Sequence, residues 1–264
     1  MSRIIVITSG KGGVGKTTVS ANLGSALARM GRRVALVDAD FGLRNLDLLL
    51  GLENRIVYTA ADVIAGDCRL DQALVKDKRQ PGLALLPAAQ SRLKSAIPTD
   101  EMKQLVLKVA ADQDYVLIDC PAGIESGFQN AIAAASEALI VTTPEVAAVR
   151  DADRVVGLLE ANSIKTIRLI VNRVRPEMVQ VNEMMSVEDI HEILAVEPIG
   201  IIPDDQRVIV SSNRGEPLVN DPKLSLPGIA LRNLARRLDG QTVPYLDLMA
   251  AQDNLINRLR RWLG

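Results

Sequence analysis

The chain has 264 residues, 48% hydrophobic, 24% charged and 2% aromatic, which is enough apolar material for one large globular α/β domain or two modest ones and excludes a disordered or fibrous chain. Its 31 lysines and arginines against 32 acids leave a net charge of -1, so there is no global basic field to hold nucleic acid by counterion release, and its apolar segments are too short and interrupted to span a bilayer. Two distant cysteines, Cys68 and Cys120, form no CxxC pattern and suit a reducing cytoplasm, and MSRIIVITSG enters a strand directly, without a leader's apolar core, so the protein is expected inside the cell.

In chain order, short apolar runs bounded by turn residues predict strands at Ile4–Ile7, Val34–Val37, Leu83–Leu86, Tyr115–Ile118, Ala138–Val141, Ile167–Val171 and Ile199–Ile202. Apolar residues at three and four spacing predict helices over Thr17–Arg29, Glu101–Ala111, Val146–Ala161, Val187–Leu194 and Leu224–Leu238. Repeated βα units of this kind give an α/β fold, doubly wound, with a mostly parallel sheet and helices on both faces. That domain is expected over residues 1–240, with 51–80 carrying no clear pattern. Residues 241–264 read as a connector, Gln241–Pro244, and a final amphipathic segment.

Gly10-Lys11-Gly12-Gly13-Val14-Gly15-Lys16-Thr17 satisfies the phosphate-loop pattern between the first strand and the first helix, and Thr18 follows it. Its glycines let the backbone curl amide hydrogens inward, where the helix N-terminus adds positive potential for a diphosphate or triphosphate. Lys16 is expected at the terminal phosphates and Thr17 on magnesium. Lys11 is a second lysine that an ordinary phosphate loop does not need. With it the loop reads KGGVGKTT, and the sequence resembles the ParA/MinD ATPases, the deviant Walker A branch of the P-loop NTPases. The resemblance implies ATP and Mg2+ as ligands. It also implies an ATP-dependent homodimer in which Lys11 crosses to the partner's phosphates as an arginine finger does elsewhere.

The second strand runs into Asp38 and Asp40, and the run Tyr115–Ile118 delivers Asp119 to the same carboxyl edge, where open α/β sheets bind ligands. Asp40 is expected to position the attacking water. Asp38 is expected to support magnesium or the loop, and Asp119 to hold magnesium through water. By resemblance, residues after Asp40, from Gly42 to Asp47, form a first switch, and Asp119 to Gly123 a second, with Gly123 following the γ-phosphate. Cys120 reads as a packed thiol and His191 as structural. Asn172 and Arg173 end one strand and Pro203-Asp204 the next. The resemblance assigns this group to the nucleotide base, whereas a capping asparagine and a surface arginine fit the residues almost as well.

At the carboxyl terminus Leu255, Ile256, Leu259, Trp262 and Leu263 share one helical face, and Arg258, Arg260 and Arg261 take the other. This pattern predicts a helix lying in a membrane interface, its arginines on anionic lipid; the alternative is a terminal helix docked on the protein body. One such tail binds marginally, and two in a dimer raise avidity by roughly 10²- to 10⁴-fold. Within the family, the tail, the run Pro121–Gly127 and the run Val149–Arg154 resemble the MinD branch. That branch implies a magnesium-dependent ATPase cycling between cytoplasm and the cytoplasmic face of the inner membrane and positioning the division septum. It also implies a MinC-like division inhibitor and a MinE-like ATPase activator as partners, with Arg44, Asp151 and Asp153 as candidate contacts and no nucleic acid expected. The alternatives are a ParA-type partitioning ATPase that binds nonspecific DNA, and a flagellar-number regulator.

Overall fold

The computed structural model describes residues 2–41, 43–89, 97–124 and 126–248. Eight strands form a single sheet: β1 (Arg3–Thr8), β2 (Val34–Asp38), β3 (Val75–Lys76), β4 (Leu83–Leu86), β5 (Tyr115–Asp119), β6 (Glu137–Thr142), β7 (Thr166–Val174) and β8 (Pro198–Pro203). Their spatial order is β3-β4-β2-β5-β1-β6-β7-β8, parallel throughout except for the two-residue β3 at one edge. The helices are α1 (Lys16–Arg29), α2 (Leu46–Leu50), α3 (Ala60–Ala65), α4 (Leu70–Ala73), α5 (Thr99–Ala110), α6 (Ser126–Ile132), α7 (Val146–Ala161), α8 (Pro176–Gln180), α9 (Val187–Leu194), α10 (Gln206–Asn213) and α11 (Leu226–Leu238).

The central strands are buried on both faces, which is why they read as continuous apolar runs rather than as alternation. Along β1, Ile4 and Val6 enter one core with Val149 and Val155 of α7, while Ile5 and Ile7 enter the other with Val19 and Leu23 of α1 and Leu234 of α11. Each such side chain contributes about 1.5–3 kcal/mol when fully withdrawn from water.

The elements missed in the sequence are the short ones. In the unassigned stretch 51–80, α3 and α4 are held at their starts by the Asp62 carboxylate accepting the Thr59 amide at 2.8 Å and Gln72 Oε1 accepting the Arg69 amide at 2.9 Å, rather than by a long apolar stripe. Helices α2 and α8, of five residues each, are likewise too short for periodicity to show, and α10 buries none of its residues, so it carries no apolar stripe. The connector Gln241–Pro244 is tied to the body: Arg237 on α11 donates to the carbonyls of Ile199, Val243 and Pro244 and stacks on Tyr245 at 4.2 Å. The expected membrane helix, with Leu255, Ile256, Arg258, Leu259, Arg260, Arg261, Trp262 and Leu263, lies outside the described residues. No described helix is long and apolar enough to cross a membrane.

Candidate functional site

Strand β1 lies at the sheet's topological switch point, with β5 on one side and β6 on the other, so the loops leaving the carboxyl ends of these strands diverge and open a crevice. The phosphate loop leaves β1 into this crevice and enters α1. Gly15, at φ 100, turns the chain into the helix without a side-chain cap, and the first turn carries no acidic residue, so the amides at the N-terminus of α1 remain available to an anion. Two glycines here answer to their neighbours. A Cβ on Gly10 would overlap the backbone carbonyl of Asp151 on α7, and one on Gly15 would overlap the Asn172 amide.

Parallel register aligns Asp38 with Asp119 and Asp119 with Ile7, placing both carboxylates beside the loop. Lys16 is only 7% exposed and lies among Asp40, Asp119 and Cys120, which feel its charge. Asp119 accepts from Ser20 Oγ at 2.8 Å and is also hydrogen-bonded by Thr17. Burial pushes its pKa up to about 6 in spite of those bonds and of Lys16. Asp40, half-buried, is also raised by burial, with Lys16 opposing the shift. Thr17 and Asp119 form a hard oxygen donor set of the kind magnesium takes when phosphates and water complete its shell, and among the described residues no cluster of protein ligands forms a metal site by itself.

Asp38 is bonded to the loop that follows it. Its Oδ1 accepts the Asp40 amide at 2.9 Å and its Oδ2 the Leu46 amide at 3.5 Å, so its carboxylate organises the first switch from within. Burial, reinforced by Asp119, pushes its pKa well above the usual carboxylate range. In the same switch Arg44, at φ 41, places its guanidinium 2.9 Å from the buried Asp47.

Asn172 donates to the carbonyl of Val14 at 2.7 Å, clamping the phosphate loop from β7. A register shift between Asn172 and Val174 accompanies a left-handed Arg173 at φ 60, which lines a cavity of about 680 Å³ with Arg175, Glu145 and Asp204. Asp204 pairs with Arg175 there, and Pro203, ending β8, is buried. Gly123, at φ 88, lies in the segment between β5 and α6. Lys11 stands 3.5 Å from Glu145 in an exposed ion pair. Cys120 is packed in the core, burial pushing its thiol up to about 12, and His191 bonds the Val196 carbonyl at 3.1 Å. Sequence reasoning missed Ser20 and Glu145. Ser20 stands one helical turn past Lys16 and could have been found by that spacing, whereas Glu145 has no local signal.

The site geometry is that of a nucleotide-binding edge. A family model, the CobQ/CobB/MinD/ParA nucleotide binding domain, matches residues 5–218. The septum site-determining protein MinD of Synechocystis sp. is 67% identical over 263 residues, covering 100% of this chain and 99% of the relative. The chain belongs to the MinD family. Among solved structures, the MinC:MinD cell division protein complex of Aquifex aeolicus superposes with a TM-score of 0.86 at 51% identity, covering 93% of this chain and 99% of the other. MinD of Pyrococcus horikoshii complexed with Mg-ADP gives a TM-score of 0.82 at 32% identity, covering 90% and 96%. The eight-stranded sheet is thus the MinD/ParA form of the P-loop NTPase fold, and the chain is a nucleotide-binding ATPase of a septum-site-determining family.

Proposed function

We propose that the chain positions the division septum as a magnesium-dependent ATPase that dimerises on ATP. The observation that carries this reading is the division of labour between two lysines of one loop. Lys16 is buried against Asp40 and Asp119, where the terminal phosphates of a nucleotide cradled by Gly10, Gly12, Gly13, Val14, Gly15, Thr17 and Thr18 would come. Among the described residues the Lys11 ammonium pairs only with Glu145, an exposed contact that contributes at most about 1 kcal/mol. So weak a tether yields readily to a triphosphate brought by a second copy, and Lys11 then supplies charge in trans to the transferring phosphoryl group.

Magnesium, when bound, neutralises charge developing on the phosphate oxygens. Thr17 and Asp119 hold it, the latter through water, and Asp38 serves it indirectly by fixing the first switch. Asp40 accepts a hydrogen bond from the attacking water and so orients it. Gly123 follows the γ-phosphate, and Asn172, Arg173, Pro203 and Asp204 border the base. The membrane role rests on the sequence pattern of the tail. Two tails joined in an ATP dimer hold the chain on anionic inner-membrane lipid, and hydrolysis releases it to the cytoplasm. The Aquifex relative's complex with MinC supports recruitment of a MinC-like inhibitor, and a MinE-like activator completes the cycle by stimulating hydrolysis.

Sedimentation with ATP and with ADP tests the reading. The parent chain is expected to dimerise and to pellet with anionic vesicles only with ATP, and Lys11→Ala to stay monomeric while still binding ADP. A Lys11→Ala variant that dimerises and hydrolyses like the parent overturns the trans role, and ATP-dependent binding of DNA without binding of lipid overturns the membrane reading.

A further inference from the structure

Arg79 lies in the turn between β3 and β4, away from the nucleotide edge. Its guanidinium donates to the main-chain carbonyls of Leu50 and, at 3.4 Å, Gly215, and stands 3.4 Å from the carboxylate of Asp77. Asp77 is 3% exposed and also accepts the Arg79 amide at 2.8 Å, so the arginine is braced before it reaches out. Leu50 closes α2 and Gly215 follows α10. One side chain therefore serves the carboxyl ends of two helices, where terminal carbonyls lack intrahelical partners and the dipole favours a cation.

Those two ends touch. Gly51 and Gly215 are both left-handed, at φ 61 and 62. A Cβ on Gly51 would lie 2.8 Å from the Gly215 carbonyl oxygen, and one on Gly215 would lie 2.9 Å from Gly51 Cα and from the Leu48 carbonyl oxygen.

The consequence falls on α2. A helix of five residues has too few internal bonds to persist alone, so its position is set by whatever holds its ends. Its start is held by the Asp38 carboxylate at the Leu46 amide, and its end, about 7.5 Å on, by Arg79. Between them Leu46, Asp47 and Leu50 are buried, so the segment transmits displacement rather than absorbing it.

We propose that Arg79 is a positioning residue of the nucleotide site: by pinning α2 to α10 it keeps the Asp38–Asp40 segment in register with Lys16 and so sets the hydrolysis rate without touching nucleotide. This rests on the roles proposed for Lys16 and Asp40. A lysine cannot substitute, because its ammonium lacks the planar fork that reaches two carbonyls and a carboxylate together. An alanine at position 215 separates the same two helices with Arg79 still present.

The test compares Arg79→Ala, Arg79→Lys and Gly215→Ala with the parent chain. Each is expected to lower kcat for ATP at least tenfold, to leave Mg-ADP affinity within threefold, and to speed amide exchange at Leu46–Leu52 at least tenfold while the amides of β1 and β5 keep the parent's protection. A kcat within twofold of the parent in Arg79→Lys or Gly215→Ala overturns the proposal. So does a loss of kcat and ADP affinity together with faster exchange throughout the sheet, which marks a merely structural residue. Should Arg79→Ala fail to fold, the other two variants decide. A parent chain that hydrolyses no ATP refutes the roles of Lys16 and Asp40 instead, a failure told apart because the exchange comparison still reports whether Arg79 holds α2.

Discussion

Gly15→Ala asks the phosphate loop for two things it cannot give. At φ 100 the residue sits in left-handed backbone, where a Cβ costs roughly 1–2 kcal/mol. The added methyl would also stand 3.6 Å from Asn172 Cγ and well inside contact distance of Asn172 Nδ2, which donates to the Val14 carbonyl at 2.7 Å. Asn172 is only 9% exposed, so driving its amide aside forfeits about 1 kcal/mol of hydrogen bond and leaves the Val14 carbonyl without that partner. The variant should therefore lose about 2–4 kcal/mol in urea unfolding and bind ADP more weakly, because the curl of the loop depends on that clamp. Asn172→Ala alone should lose roughly 1–3 kcal/mol. The double variant should lose less than the sum by about 1 kcal/mol or more, since removing the amide makes room for the methyl and leaves only the backbone strain. Additivity within about 0.5 kcal/mol, or a Gly15→Ala protein as stable as the parent, would refute the clash.

Burial raises the Asp119 pKa from the ordinary 3.8 to about 6, so in nucleotide-free, metal-free protein the folded state disfavours its charge. The contribution of this group to stability falls as pH rises from about 4 to about 6, by roughly 3 kcal/mol in all. Asp119→Asn is thus expected to be more stable than the parent at pH 7.5 and little different at pH 4, and equal unfolding curves at both pH values would contradict the burial argument. Glu145→Gln removes only an exposed pair and should move unfolding by less than about 1 kcal/mol, read by the same titration; a larger loss would show that Lys11 is held more firmly than its geometry implies. Arg237→Ala abandons three carbonyls and the Tyr245 ring and should speed limited proteolysis within residues 241–246 at least tenfold, and unchanged cleavage there would show that the connector holds by other contacts.

Local residue patterns are enough to specify the central strands and the loop. Strands buried on both faces must be apolar throughout, and a backbone that curls on phosphate must carry glycine at fixed intervals, so β1, β2, β5 and residues 10–17 declare themselves locally. How distant segments meet there is settled by long-range packing. Nothing near Asn172 in the chain says that its amide closes on Val14, nothing near Gly10 that α7 abuts it, and nothing near Asp38 that its oxygens are committed to the amides of Asp40 and Leu46. The short helices were hidden for the same reason. A single turn buries too little surface to impose a periodic pattern, so α2 exists because Asp38 and Arg79 hold its two ends and α1 and α10 pack against it, conditions that no window of the sequence contains.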